Sequence, residues 1–252
     1  MKDPGKSFNK FHLHLRKRFE ETLMKHQMIS PGDRVLVGVS GGADSLTLLT
    51  LFTGPLLFTP KPEFILAVYI DLGFDDGSQG KRLERYFQEN GHCYRIEKTE
   101  IGLLAHSEFN RKASPCFLCS RLRRKRLFEL ARDFRCNKLA LAHNRDDVIE
   151  TFLLNVFFAR EISTMIPTQC YFRGEFQLIR PLVYMEERLI KRFAREAGLP
   201  IIENPCPSNG TTKRAYIKEL LKKLEQENPN VKIKENIFKA LKRPKIEYLY
   251  AK

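Results

Sequence analysis

Residues 35–49 read VLVGVSGGADSLTLL, an apolar run that breaks into Ser-Gly-Gly, passes an Asp and a second Ser, and turns apolar again. If the first run is a buried strand and the last a helix, the break gathers several backbone N–H groups and the positive end of the helix dipole at one point beyond the strand. Such a corner binds an anion. Gly41 and Gly42 let the backbone come close to it, while Ser40 and Ser45 offer hydroxyl donors. The stretch has no Gly-Lys-Ser/Thr, so it is not a Walker A loop, and no GxGxxG, so it is not the dinucleotide fingerprint. A plain tight turn would need neither the two serines nor Asp44 in the first helical turn.

Two further stretches carry reactive side chains. In LAHNRDDVIETFLLN, residues 141–155, His143 and the pair Asp146 and Asp147 open a helix beyond a strand, where carboxylates could hold Mg²⁺ or orient a nucleotide. In ASPCFLCSRLRRKRLFELA, residues 113–131, Cys116 and Cys119 stand just before a strongly basic helix. A lone CxxC suits a redox pair, half a zinc site or two ligands of an iron-sulfur cluster, and its spacing does not separate these. Zinc held with Cys206 and a histidine is one further arrangement. Cys93 and Cys136 read as buried small apolar residues and Cys170 as a loop thiol. Arg121, Arg123, Arg124 and Lys125 form a cationic face suited to RNA phosphates, with Leu118, Leu122, Leu127 and Leu130 turned to the core.

The elements that must position these residues alternate. RVLVGVS, FILAVYID (64–71), CYRIEK (93–98) and KLALA (138–142) read as strands, and a further short strand is expected near LIRPLVY. Between them DSLTLLTLF, KRLERYFQEN, Leu118–Phe134, Asp146–Phe158 and EERLIKRFAREAG read as helices. The alternation predicts an α/β fold with a mainly parallel, doubly wound sheet covered on both faces. Phe8, Phe11, Leu15, Phe19 and Leu23 recur at helical spacing, so residues 1–30 are expected to form an amphipathic helix leading into a domain over 31–205. Residues 206–252, with helical patterns at 211–226 and 231–243, make a basic C-terminal extension.

Composition limits the partners. The 252 residues carry 44 Lys and Arg against 30 Asp and Glu, a net charge of +14 that favours a polyanion such as nucleic acid. No apolar run approaches the ~20 residues that span a bilayer, and the start has no secretory core, so a cytoplasmic protein is expected. In that reducing compartment six cysteines point to thiol chemistry or metal rather than a disulfide frame.

SGGADS resembles the SGGxDS loop of the PP-loop ATP pyrophosphatases, which split ATP into AMP and pyrophosphate to activate a carbonyl oxygen. The resemblance implies an adenine nucleotide alpha hydrolase-like fold, with Ser40, Gly41, Gly42, Asp44 and Ser45 around pyrophosphate and His143 and Asp147 also on the nucleotide. Adenine is expected past the second strand, near Tyr69, Ile70 and Asp71. Together with CFLCSRLRR, AHNRDD, IRPL and IIENPC, the sequence resembles the tRNA 2-thiocytidine biosynthesis family from MISPGDRVLVGVSGG to ENIFKAL. That resemblance implies a [4Fe-4S] cluster on Cys116, Cys119 and Cys206, ATP and Mg²⁺ as further cofactors, and Asp44 with the three cysteines as the catalytic set. It also implies a tRNA substrate, sulfide or a persulfide carrier as sulfur donor, and a homodimer.

The sequence departs from that family at Ala43, Ala142 and Glu150, where Lys, Gly and Gln are usual, and CPSN lacks a second cysteine. In these respects it leans toward tRNA lysidine synthetases, which share the adenylation half but need no such cysteines. The expected activity is therefore ATP-dependent thiolation of a tRNA pyrimidine, with lysidine-type ligation or non-catalytic RNA binding as the alternatives.

Overall fold

The computed structural model describes residues 10–108, 110, 114–203 and 205–249. Phe8 lies outside them. Helix α1, Lys10–Lys25, buries Leu15, Phe19 and Leu23, spaced four apart on one face. These three enter the same apolar cluster as Val35, Val37, Leu48 and Phe52, and the Phe19 ring meets Phe52 edge-on at 5.1 Å. Each such side chain contributes roughly 2 kcal/mol of burial, so α1 is part of the core. Its Glu20 is fully buried and accepts the backbone N–H groups of Leu57, Phe58 and Thr59 at 2.9, 2.6 and 3.2 Å.

Strands β1 (Arg34–Val39), β2 (Phe64–Asp71), β3 (Tyr94–Lys98), β4 (Lys138–Ala140), β5 (Thr168–Tyr171) and β6 (Phe176–Ile179) form one sheet in the order β3-β2-β1-β4-β6-β5. All neighbours pair parallel except β5 with β6. Side chains alternate across the sheet: Val35, Val37, Ala67 and Tyr69 join one cluster, and Leu36, Leu66, Val68 and Ile70 the other. The first face is covered by α2 (Ala43–Thr53), α3 (Ser78–Glu89) and α7 (Glu187–Glu196), the second by α5 (Pro115–Asp133) through Leu127 and Leu130. Both faces are therefore dry, as a parallel sheet requires.

Three elements differ from expectation. The strand expected near LIRPLVY is the second arm of a hairpin and stops at Ile179, before Pro181, which has no N–H for the ladder. Its first arm, TQCY, is a polar edge strand with no apolar alternation to reveal it, and the hairpin turn places Phe172 and Arg173 at φ of 51° and 59°. A short helix, α4 (Ile101–His106), fills what reads as loop.

The chain divides into two compact units, Met1–Asn144 with Ile166–Asn209, and Arg145–Met165 with Gly210–Lys252. Helix α6 (Arg145–Phe158) groups with α8 (Lys213–Glu227) and α9 (Ile233–Lys242). Ion pairs explain the grouping: α8 and α9 supply the cations that meet the acids of α6. No described helix is long and apolar enough to cross a membrane.

Candidate functional site

Between β1 and α2 the chain turns through Ser40, Gly41 and Gly42. The first helical bond runs from the Leu46 N–H to the Gly42 carbonyl, so the amides before it open outward from the helix end. Gly41 has φ +82°, and a Cβ there would sit 3.1 Å from that of Ile202, whose N–H donates to the Gly41 carbonyl at 2.9 Å. Only glycine meets both demands. Ser45 departs from the expected role. Its buried hydroxyl donates to the Gly42 carbonyl at 3.0 Å and accepts the Ser40 N–H at 3.1 Å, bracing the loop from inside rather than offering a donor to an anion. Ser40 is exposed at the mouth. Asp44 accepts from Asn144 Nδ2 at 3.2 Å, which ties the turn after β1 to the segment after β4, the point where strand order reverses.

A cleft opens beside this corner, lined by Ser40, Gly42, Tyr69, Ile70, Asp71 and Arg123 among others. The residues expected near adenine thus share one cleft with the Ser40–Gly42 turn. Burial, helped by Asp71 and Asp75, pushes the Tyr69 hydroxyl up to about 12, so it stays a proton donor at neutral pH. Arg123 departs from its sequence reading. It faces the cleft and hydrogen-bonds toward the Cys119 sulfur, while Arg121, Arg124 and Lys125 stand on the exposed side of α5. Arg126 also turns in, bound to Glu97 at 2.7 Å and Glu129 at 2.9 Å. Leu127 and Leu130 are buried, Leu118 and Leu122 half-buried.

The cysteines lie within the first turns of α5, not before it. Ser114 caps the helix by accepting the Phe117 N–H, and Pro115 opens it. Cys116 and Cys119, three apart, share a face near the positive helix end. Cys119 is buried, and desolvation holds its thiol above the ordinary range; Arg123 opposes that shift, while Cys206 and Cys116 add to it. Cys206 lies 3.9 Å from Nε2 of His106, a ring that also meets Ser208 Oγ at 2.8 Å and the Gly102 carbonyl at 2.9 Å. Of the other three, only Cys136 is buried, its thiol pushed up to about 11. Cys93 is exposed beside β3, and Cys170 is exposed on strand β5 rather than in a loop.

His143 follows β4, and its Nδ1 meets Arg180 Nε at 3.3 Å. In the other unit, Asp146 pairs with Lys234 Nζ at 3.0 Å and Asp147 with Arg214 Nη1 at 3.2 Å. The same Arg214 nitrogen reaches Glu150 at 3.2 Å, whose carboxyl is raised by burial against the pull of Lys218 and Arg214.

The PP-loop domain model matches residues 12–224. The tRNA-cytidine(32) 2-sulfurtransferase of Geobacter sulfurreducens is 42% identical, over 81% of this chain and 80% of its own length. This chain belongs to the PP-loop tRNA-cytidine 2-sulfurtransferase family. The Geotalea uraniireducens member is 38% identical over 93% of both chains. Among solved structures, the U34-tRNA thiolase NcsA from Methanococcus maripaludis, with its [4Fe-4S] cluster, superposes with a TM-score of 0.75 at 22% identity, covering 95% of this chain and 80% of that one. That likeness shows the shared fold.

For a PP-loop sulfurtransferase the thiol set is the part to test against a metal group. Three thiolates are soft donors that suit iron or zinc, and Cys119 feels both of the others. Among the described residues no three His, Cys, Asp or Glu side chains are gathered closely enough to hold a metal ion. The donor set therefore fits in kind and neighbourhood without being drawn into ligand geometry. Sequence reasoning missed Asn144, His106, Lys234, Arg214 and the inward Arg123. Asn144 and Arg180 stand inside the motifs AHNRDD and IRPL, so a signal for them existed. The cations of α8 and α9 carry none, because their partners lie 64 to 88 residues away.

Proposed function

We propose that this chain replaces the C2 oxygen of cytidine 32 in tRNA with sulfur, after activating that oxygen with ATP. The oxygen attacks the α-phosphorus, an O–P bond forms, and the bond to the β-phosphate oxygen breaks to release pyrophosphate. Sulfide then attacks C2, the C2–O bond breaks, and AMP leaves with the oxygen. The first step turns a poor oxide leaving group into a phosphate monoester.

The chain's residues divide this work. The outward amides at the start of α2, with Gly41 and Gly42, hold the departing pyrophosphate. Ser45 and the Asn144–Asp44 bond keep that corner rigid. Tyr69, Ile70 and Asp71 seat the adenosine side of the cleft, and Arg123 holds negative charge between it and Cys119. Cys116, Cys119 and Cys206 would hold a [4Fe-4S] cluster, which when bound supplies an iron without a protein donor where sulfide can sit. Asp146 and Asp147 are hard oxygen donors suited to Mg²⁺, their present partners being Lys234 and Arg214. Arg121, Arg124 and Lys125 meet RNA phosphates.

One observation carries the reading: Arg123 stands one helical turn beyond Cys119 and lines the same cleft as Ser40 and Gly42, so the thiol site and the phosphate corner share a side chain. Protein prepared without oxygen is expected to be brown, with about four irons per chain, and to convert tRNA cytidine to 2-thiocytidine by nucleoside mass analysis. Colourless, zinc-loaded protein that ligates an amine to tRNA instead would overturn the reading.

A further inference from the structure

The hairpin of β5 and β6 turns in a way its residues disfavour. Tyr171 pairs with Phe176, so the loop is the four residues Phe172, Arg173, Gly174 and Glu175. Hairpin loops of this length are most often built around a type I turn, whose central residues have negative φ. Here Phe172, Arg173 and Gly174 lie at φ of 51°, 59° and 97°, three left-handed residues in succession. Glycine takes that conformation readily, but it is unfavourable for an aromatic side chain. Phe172 gains little burial in return. Its ring meets those of Phe128 and Phe176 edge-on at 6.1 and 6.4 Å, yet the residue stays 63% exposed.

The tip adjoins the cationic face of α5. Arg121, Arg124, Lys125 and Phe128 follow at i, i+3, i+4 and i+7, which is one stripe of a helix. The stripe begins two residues past Cys119 and ends at Phe128, on which the hairpin packs through Tyr171 and Phe176, with ring centroids 4.9 and 5.2 Å away. Tyr171 and Arg124 also act on one guanidinium, that of Arg180. Glu129 is engaged by Arg126 and Lys125, and Glu175 stands in the loop itself. Among the described residues Arg121, Arg124 and Arg173 take part in no ion pair, so this surface carries positive charge in excess.

An exposed ring set among cations suits a polyanion that also offers flat apolar faces, and an unpaired stretch of RNA offers both. A second copy of this chain, itself at +14, would bring like charges against the stripe. We propose that the hairpin tip is an RNA contact, in which Phe172 stacks on an unpaired base of the tRNA substrate and Arg173 meets a neighbouring phosphate, extending the α5 stripe into one docking face. The left-handed turn aims the ring before RNA arrives, which lowers the ordering cost of binding. The inference rests on the tRNA reading for its ligand and on neither adenylation nor the cysteines.

Binding of the full-length protein to a fluorescent tRNA transcript with cytidine at position 32 needs neither ATP nor a cluster and is read by anisotropy. Phe172→Ala should weaken it about tenfold, and Phe172→Tyr, which keeps a ring, should stay within about twofold of the parent. Arg173→Ala should also weaken binding and lower the slope of log K against log salt by about 0.7 to 0.9, the share of one phosphate, whereas Phe172→Ala should leave that slope unchanged. On a fully paired RNA of equal length Phe172→Ala should match the parent. Unchanged tRNA affinity in Phe172→Ala, with its fold verified by circular dichroism, would overturn the proposal, and so would an equal loss on the paired RNA. If Phe172→Ala instead converts a dimer to a monomer in sedimentation with tRNA affinity kept, the tip is a contact between copies and the proposal falls. A parent protein that binds tRNA through Phe172 yet forms no 2-thiocytidine would count against the function while leaving the docking face standing.

Discussion

The Ser40–Ser45 corner and the cysteine site solve opposite problems. The corner is built within six residues, from Ser40 to Ser45, and braces itself: one buried hydroxyl holds both ends of the turn, and a left-handed glycine is packed against Ile202. It is finished before any ligand arrives. The cysteine site is assembled from α5 and a segment some ninety residues later, and its sulfurs approach one another without reaching ligand geometry. A turn preformed in this way costs only local backbone strain, whereas three clustered thiolates repel and lose solvation until a cation joins them.

Experiments can break that contrast. The largest effect is expected from Cys206→Ala, which should abolish 2-thiocytidine formation and colour while leaving equilibrium ATP binding within about twofold of the parent; parallel loss of both would mean that the two sites are one. Gly41→Ala should do the reverse. A side chain at φ +82° facing Ile202 costs on the order of 1–3 kcal/mol, so ATP should bind about ten- to a hundredfold more weakly by titration calorimetry, with iron uptake unchanged. Ser45→Ala should lower stability by about 1 kcal/mol in thermal denaturation, because the partly buried Gly42 carbonyl and the Ser40 N–H lose their shared partner. The smallest effect concerns pH. Burial holds the Cys119 thiol above its ordinary value of 9.0, so it is protonated at neutral pH and its contribution to stability is held there and lost as pH rises through the folded value. Metal-free protein should therefore be alkylated at Cys119 faster with each step in pH from 7 to 9, followed by peptide mass analysis. A flat profile would show a thiolate already formed and a site as prepared as the phosphate corner.

The same contrast decides what the sequence could reveal. The corner, the parallel strands and their covering helices are legible because their signals are local: apolar runs, two glycines, an Asp after the turn. The family resemblance extended that reading to the cysteine set. What stayed hidden depends on direction rather than residue type. In RLRRKR every position looks alike, yet Arg123 and Arg126 turn inward while Arg121, Arg124 and Lys125 do not, since helix phase against the sheet decides it. Ser45 reads as a donor to an anion and proves a strut, because one hydroxyl proton goes to only one acceptor. Strand β5 and helix α4 are too short and too polar or irregular to show periodicity. Cys93, Cys136 and Cys170 look equivalent in sequence, and only the fold distinguishes the one that is buried.

Helix α1 makes trimming from the front hazardous. A chain begun at residue 30 would leave three hollows where Leu15, Phe19 and Leu23 had been, and would strip the carboxylate seat from the amides of Leu57, Phe58 and Thr59. Those amides belong to the connection that delivers the chain from α2 into β2. Shortening the protein at one end would thus unsettle the arrival of the very strand that carries Tyr69, Ile70 and Asp71 to the cleft beside Ser40 and Gly42.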